Sequence, residues 1–377
     1  MIKKISFAIS AALFLSNTAM AAENIVVGVE KQYVPYFTEL AEQFNKGKDF
    51  KVEVTATSMF DLMSALPTQK GNIADVFMIP NDRIGELADQ YLISPTNFTI
   101  DGFTQAATNA AMYNGQTYMV PMSTDTTLFL YNKDMVKAAP KTLKELPPSD
   151  WAAKFTDFYF AGGLFMSNGG YIFKDNNPEN VGLNNDGSVK AALAAQSLYD
   201  SGVSHWTLMQ DDTVAFDIMM KYFMEGKVKA IINGPWAIAD IEKAGINVGA
   251  APIPSWDGSH PYQALTGTKG LAVNGYSDNK DGARDFMKFV ATPENAQKWY
   301  VETREVSPSL SVHYEEGSLH KAIFDATNIG QPMPNIPQFM KVWGPMKTAL
   351  AQIAQGQNAQ AVLDAAVDTI QIDIEDM

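Results

Sequence analysis

The chain of 377 residues has no cysteine, four histidines and a formal net charge of -14. Disulfides and thiolate metal sites are therefore excluded, and the scattered His205, His260, His313 and His320 offer a transition metal little to bind. The acidic balance opposes adsorption to nucleic acid or anionic lipid, so neither those partners nor a metal or other cofactor is expected.

The chain opens like an export signal, with Lys3 and Lys4 before a short apolar run (5–15) and Ala19-Met20-Ala21 as a small-x-small cleavage site. Cleavage after Ala21 would move the formal charge from -14 to -16, because both lysines leave. That run is too short to span a bilayer, which takes about 20 apolar residues. Without cysteine there is nothing to carry a lipid anchor, so a monomer held in a periplasm is the expectation.

Positions 25–29 read as a strand, and Val34, Phe37, Leu40, Ala41 and Phe44 then recur at helical spacing. Further strands are expected at 50–55, 75–79 and 117–122, and strands alternating with helices imply a largely parallel sheet. A second series follows at 128–132, 228–232 and 248–253, with a helix carrying Met219, Tyr222 and Phe223 between. Positions 270–274 form another apolar run, and Val362, Ala366, Ile370 and Ile374 predict a closing amphipathic helix. This length exceeds what one core usually serves, so two α/β lobes are expected. With no low-complexity linker, they would be joined by strands or short hinges. His313 and His320 read as surface residues.

Several stretches resemble one known family. Tyr113-Asn114-Gly115, Pro121 and Leu130-Tyr131-Asn132-Lys133-Asp134 are similar to the crossover segment of bacterial oligosaccharide-binding proteins, and Ile232-Asn233-Gly234-Pro235-Trp236-Ala237 to their loop before a helix. Met333-Pro334-Asn335-Ile336-Pro337-Gln338, followed by Trp343, resembles the maltose/maltodextrin-binding proteins, which serve ABC sugar importers. The similarity runs in register from about Ile25 to the last helix. It implies a periplasmic-binding-protein fold of two α/β lobes, 22–123 with 270–315 and 127–266 with 321–377. Three hinge crossings would lie near 124–126, 267–269 and 316–320. It also implies a maltodextrin-like ligand, the inner-membrane permease subunits of an ABC importer as partners, and no enzymatic activity. Whether a chemotaxis receptor also docks is left open.

A neutral sugar offers hydroxyls to charged groups and C–H faces to aromatic rings. The positions that match the family's binding residues supply both: Glu30, Lys31, Asp82, Arg83 and Asp125, then Asp157, Tyr159 and Trp236, then Met333, Trp343 and Lys347. Each has a plainer alternative: Trp236 could pack over a helix start, Asp82-Arg83 could form a cap with a local ion pair, and Glu30-Lys31 could be surface charge. The chain also departs from the family. Ile79 stands where a Trp is common, Met59 where a Lys is expected and Lys347 where an Arg is expected, and the stretch between Trp151 and Asp157 is short. Ile79 either marks a missing ring platform or ends the apolar run Val76 to Ile79 inside a core. A ligand of different length or linkage, including a cyclic glucan, is thus an alternative. A glycosidase built on Asp125 and Asp157 is a remote one.

Overall fold

Two α/β lobes, each around its own apolar core, account for residues 24–377, the part of the chain that the computed structural model describes. The expected export signal and its cleavage point lie outside the described residues.

The first lobe begins with β1 (Ile25–Val29), α1 (Val34–Phe44), β2 (Val52–Ala56), α2 (Met59–Gln69), β3 (Val76–Pro80) and α3 (Ile84–Asp89). α1 forms because Phe37, Leu40, Ala41 and Phe44 fall on one buried stripe and a proline sits in its first turn. β4 (Val120–Thr126) leaves this lobe, and β5 (Leu128–Asn132), β6 (Trp151–Ala153) and α4 (Phe158–Ser167) build the second. α5 (Asp212–Met224), β7 (Ala230–Asn233) and β8 (Val248–Ala251) follow there. β9 (Leu265–Asn274) returns to the first lobe, which α6 (Pro293–Thr303) also covers. The chain ends through β10 (Gln331–Pro332), α7 (Trp343–Ala354) and α8 (Ala359–Glu375), where the terminal helix was expected.

The sheets are mixed, not largely parallel. In the first, ordered β10-β9-β3-β1-β2, β1 runs parallel to β2 and β3, while β9 lies antiparallel to β3 and to β4. In the second, ordered β8-β5-β7-β6, only the β7–β6 pair is parallel. The reason is connectivity: β9 comes back from the other lobe and enters beside β3 in the opposite sense. The strand expected at 117–122 is also displaced. Thr117 belongs to a small hairpin turned by Asn114 and Gly115, both at positive φ, and β4 starts only at Val120.

Ile79 is fully buried in the first core, paired with Gly270 of β9, so it is a core residue and not an empty platform on a groove wall. His313 is exposed, but His320 is half-buried with its ring 5.1 Å from that of Tyr300, because the helix it begins packs inward.

The two cores break at the crossings. One ends at Met122 and the other begins at Leu128, and on β9 the second reaches Leu265 where the first resumes at Leu271. Between these limits Ser123, Thr124, Thr126, Thr127, Thr266 and Thr268 are buried. The Thr124 and Thr126 hydroxyls donate to the carbonyls of Gly267 and Leu265, at 3.1 and 2.8 Å, and tie the two strands together. After α6 the chain crosses again, from Trp299 in the first core to Val312 and Tyr314 in the second. The segment after β10 is held by the first lobe: Asn81 Nδ2 donates to Met333 O and Gly85 N to Asn335 O, each at 3.0 Å. A Cβ at Gly85 would collide with that Asn335 carbonyl, so only glycine permits the approach.

Candidate functional site

Asp125 sits on β4 at the crossing, opposite Gly267 of β9. A side chain at Gly267 would meet Asp125 Oδ1 and Met333 Cε, at 3.0 and 3.3 Å from its Cβ, so the missing side chain leaves room for both. The Tyr159 hydroxyl, from the first turn of α4, donates to Asp125 Oδ1 at 3.1 Å. Burial and the neighbouring carboxylates of Asp125, Asp82 and Asp157 push the Tyr159 pKa well up, so it remains a donor. Trp236 follows Pro235 in a short 3-10 turn after β7, and its ring centroid lies 6.0 Å from that of Tyr159 and 6.3 Å from that of Phe160. It is 46% exposed, an unusual state for so large an apolar ring. Trp236, Asp125, Thr124 and Lys269 line a cleft of about 170 Å³ with Arg304 and Glu305.

In the second lobe Asp157 caps α4, accepting from Tyr159 N at 2.9 Å, and Lys154 lies 3.4 Å from its Oδ2. Lys154 also pairs with Asp212 Oδ1 at 3.0 Å, Thr156 donates to the same oxygen at 2.9 Å, and exposed Lys347 reaches Asp212 Oδ2 at 3.3 Å. Burial works against the charge on Asp212, but these donors outweigh it and hold its pKa below the usual value. Trp343 opens α7 half-buried, with its ring 5.0 Å from that of Phe339 and 6.2 Å from that of Phe158.

Asp82 follows β3 and lies near enough to Asp125 and Tyr159 to interact with both. Burial is the main cause of its pKa rising to about 6, against the opposing pull of Arg83. Arg83 pairs with Glu86 at 2.8 Å, and its Nε is buried without a hydrogen-bond partner among the described residues. The local ion pair envisaged there exists, with Glu86 as the acid in place of Asp82. Glu30 Oε1 accepts from Met59 N at 2.7 Å at the start of α2, and Lys31 is exposed beside it. Among the described residues no hydrogen bond or ion pair joins either to the Asp125 cluster.

Four charged or phenolic groups in this region escape sequence reasoning. Lys269 Nζ is 3.2 Å from Asp125 Oδ2 and 4.0 Å from Glu305 Oε2, and the Tyr33 hydroxyl donates to Glu305 Oε1 at 2.6 Å. Asp212 is the fourth. The available signals were a lone lysine inside a buried strand run and an acid in a helix's first turn. A larger cavity, about 720 Å³ against the first lobe, is lined by residues such as Asp61, Asp75 and Asp278 and by no aromatic ring, so it lacks the stacking surface that the cleft has. Among the described residues no group of three or more His, Asp or Glu side chains is placed to hold a metal. No described helix is long and apolar enough to cross a membrane.

The family of bacterial extracellular solute-binding proteins matches residues 39–322. The maltodextrin-binding protein MdxE of Bacillus subtilis is 30% identical over 99% of this chain and 98% of its own length. A maltooligosaccharide ABC transporter solute-binding lipoprotein of Streptococcus pneumoniae is 31% identical over 92% of this chain and 88% of its own. Among solved structures, the maltose-binding periplasmic protein MalE of Listeria monocytogenes, in complex with maltose, superimposes with a TM-score of 0.86 at 30% identity, covering 94% of this chain and 98% of that one.

Proposed function

The chain belongs to the bacterial extracellular solute-binding proteins, and on that premise we propose that it binds a linear α-glucan of the maltodextrin kind between its lobes and delivers it to an ABC importer. The observation that carries this reading is the exposed Trp236 ring beside Tyr159, in a cleft that Trp236 lines together with the Asp125 carboxylate. Ring faces accept the C–H side of a pyranose and the carboxylate accepts its hydroxyls. Carboxylates of the cleft stand beside bases, Asp125 by Lys269 and Asp157 by Lys154, which suits a neutral ligand. Asp82, Arg83, Met333, Trp343 and Lys347 complete the proposed ligand set, to which Glu30 and Lys31 are assigned on the resemblance alone.

The lobes, divided at 124–126 and 267–269 and again between Trp299 and Val312, earlier than the 316–320 that the resemblance implies, rotate about the paired crossing strands. Closure follows only because the glucan binds the closed form better. The protein acts as an exported, monomeric periplasmic receptor, and Asp125 and Asp157 serve as acceptor and helix cap, not as a hydrolytic pair. Lys347, which stands on Asp212 where the resemblance implies an Arg, favours a second reading in which the preferred glucan differs from maltose in length or linkage. Titration calorimetry against maltose, longer maltodextrins, cyclodextrin, cellobiose, sucrose and trehalose tests both. Heat with maltodextrins alone is expected. Binding to none of the α-glucans would overturn the proposal, and shortening of labelled maltoheptaose would replace it with hydrolysis.

A further inference from the structure

Lys269 stands at the middle of a polar chain that passes from one lobe to the other. Tyr33 of the first lobe donates to Glu305, Glu305 faces Lys269, Lys269 faces Asp125, and Asp125 accepts from Tyr159 of the second lobe. The two central residues come from the paired crossing strands, β4 and β9. Burial alone would lower the pKa of the Lys269 ammonium, but the charges of Asp125 and Glu305 outweigh it and hold the proton on.

We infer that Lys269 is a positioning residue that acts on the ligand through Asp125, orienting and counterbalancing this carboxylate at the floor of the cleft. This rests on the solute-binding reading above. Two contacts, one on each oxygen, fix the plane of the carboxylate, Tyr159 on Oδ1 and Lys269 on Oδ2. A carboxylate has about four acceptor sites, so capacity remains for ligand hydroxyls. Closing a cleft over an unpaired carboxylate is heavily penalised, and a cation already in place removes that obstacle. Glu305, itself held by Tyr33, keeps the flexible lysine from swinging into the cleft. Its ammonium is thereby engaged between two acids and works on the ligand at one remove.

The test is calorimetry with maltotetraose on the mature wild type and on Lys269→Met, Lys269→Arg, Asp125→Asn and the double variant Lys269→Met/Asp125→Asn, with thermal unfolding of each. Lys269→Met is expected to weaken binding about tenfold or more, and Lys269→Arg to keep most of the affinity by restoring the cation. The double variant is expected to bind no more weakly than Asp125→Asn alone, because a residue that works through another has no effect in its absence. Additive losses would make Lys269 a direct ligand contact and overturn the inference, as would a Lys269→Met protein with wild-type affinity. If Lys269→Met does not fold, Glu305→Gln loosens the same lysine from its other side, and its loss must likewise vanish in the Asp125→Asn background. A wild type that ignores maltotetraose but binds another sugar of the panel overturns the maltodextrin reading alone, and the same cycle is then run with that sugar. A wild type that binds none of them overturns both.

Discussion

The Trp236 ring lies 6.0 Å from that of Tyr159, tilted by 47°, while the Tyr159 hydroxyl donates to Asp125. One aromatic therefore offers a face to the cleft and the other serves as a rigid support with a polar tip. Trp343 differs from Trp236 in what its ring rests on, because it is half-buried against Phe339 and Phe158, next to the second core.

The two tryptophans should accordingly separate under mutation. Trp236→Ala is expected to weaken maltodextrin binding by on the order of 1–3 kcal/mol and leave the melting temperature within a degree or so, since little packing is lost. Trp343→Ala is expected to lower both affinity and stability, the latter by about 2 kcal/mol, because its partners are left against a void. Calorimetry and thermal unfolding on the same samples decide. A stability loss in Trp236→Ala as large as that in Trp343→Ala would refute the distinction.

Much of this arrangement was legible in the residues. The helical stripe of α1, the strand at Ile25–Val29 and the closing helix follow from apolar spacing, the Gly-Pro-Trp turn from a motif, and Asp125 was named only through the resemblance. What stayed hidden depends on register between distant segments. Lys269 meets Asp125 only because β9 returns antiparallel to β4, and Glu305 meets Lys269 across a third segment. Nothing local to positions 269 or 305 encodes those partners. The same return of β9 turned an expected parallel sheet into a mixed one.

Asp82 predicts a pH dependence with a definite sign. Burial raises its pKa from 3.8 to about 6, so between those values the folded protein holds a proton that the unfolded chain has already released. Stability contributed by this group thus falls as pH rises across that window, by on the order of 3 kcal/mol in total. Asp82→Asn removes the penalty. In urea unfolding the variant should exceed wild type at pH 7.5 and match it near pH 4. It should also lose affinity for maltodextrin, because the amide is a poorer acceptor for hydroxyls. The same offset between variant and wild type at both pH values would show that burial of Asp82 carries no such penalty.

Ile79 supplies the last prediction. The resemblance implies a Trp at this place in maltose binders, which would make Ile79→Trp a route to tighter maltose binding if the position faced the groove. It does not: Ile79 is fully buried, in a strand whose Val76, Phe77 and Met78 are buried with it, and β9 lies alongside with Gly270 directly opposite. An indole has roughly twice the bulk of the butyl group, and a close-packed interior has no space to receive it without moving side chains or backbone. Ile79→Trp should therefore destabilise the first lobe by about 1–3 kcal/mol and leave maltose affinity no better than wild type. Melting temperature and calorimetric affinity are to be measured on the same preparation. A variant that binds maltose several-fold more tightly at unchanged melting temperature would mean that the ring had found the cleft, and would return position 79 to the ligand site.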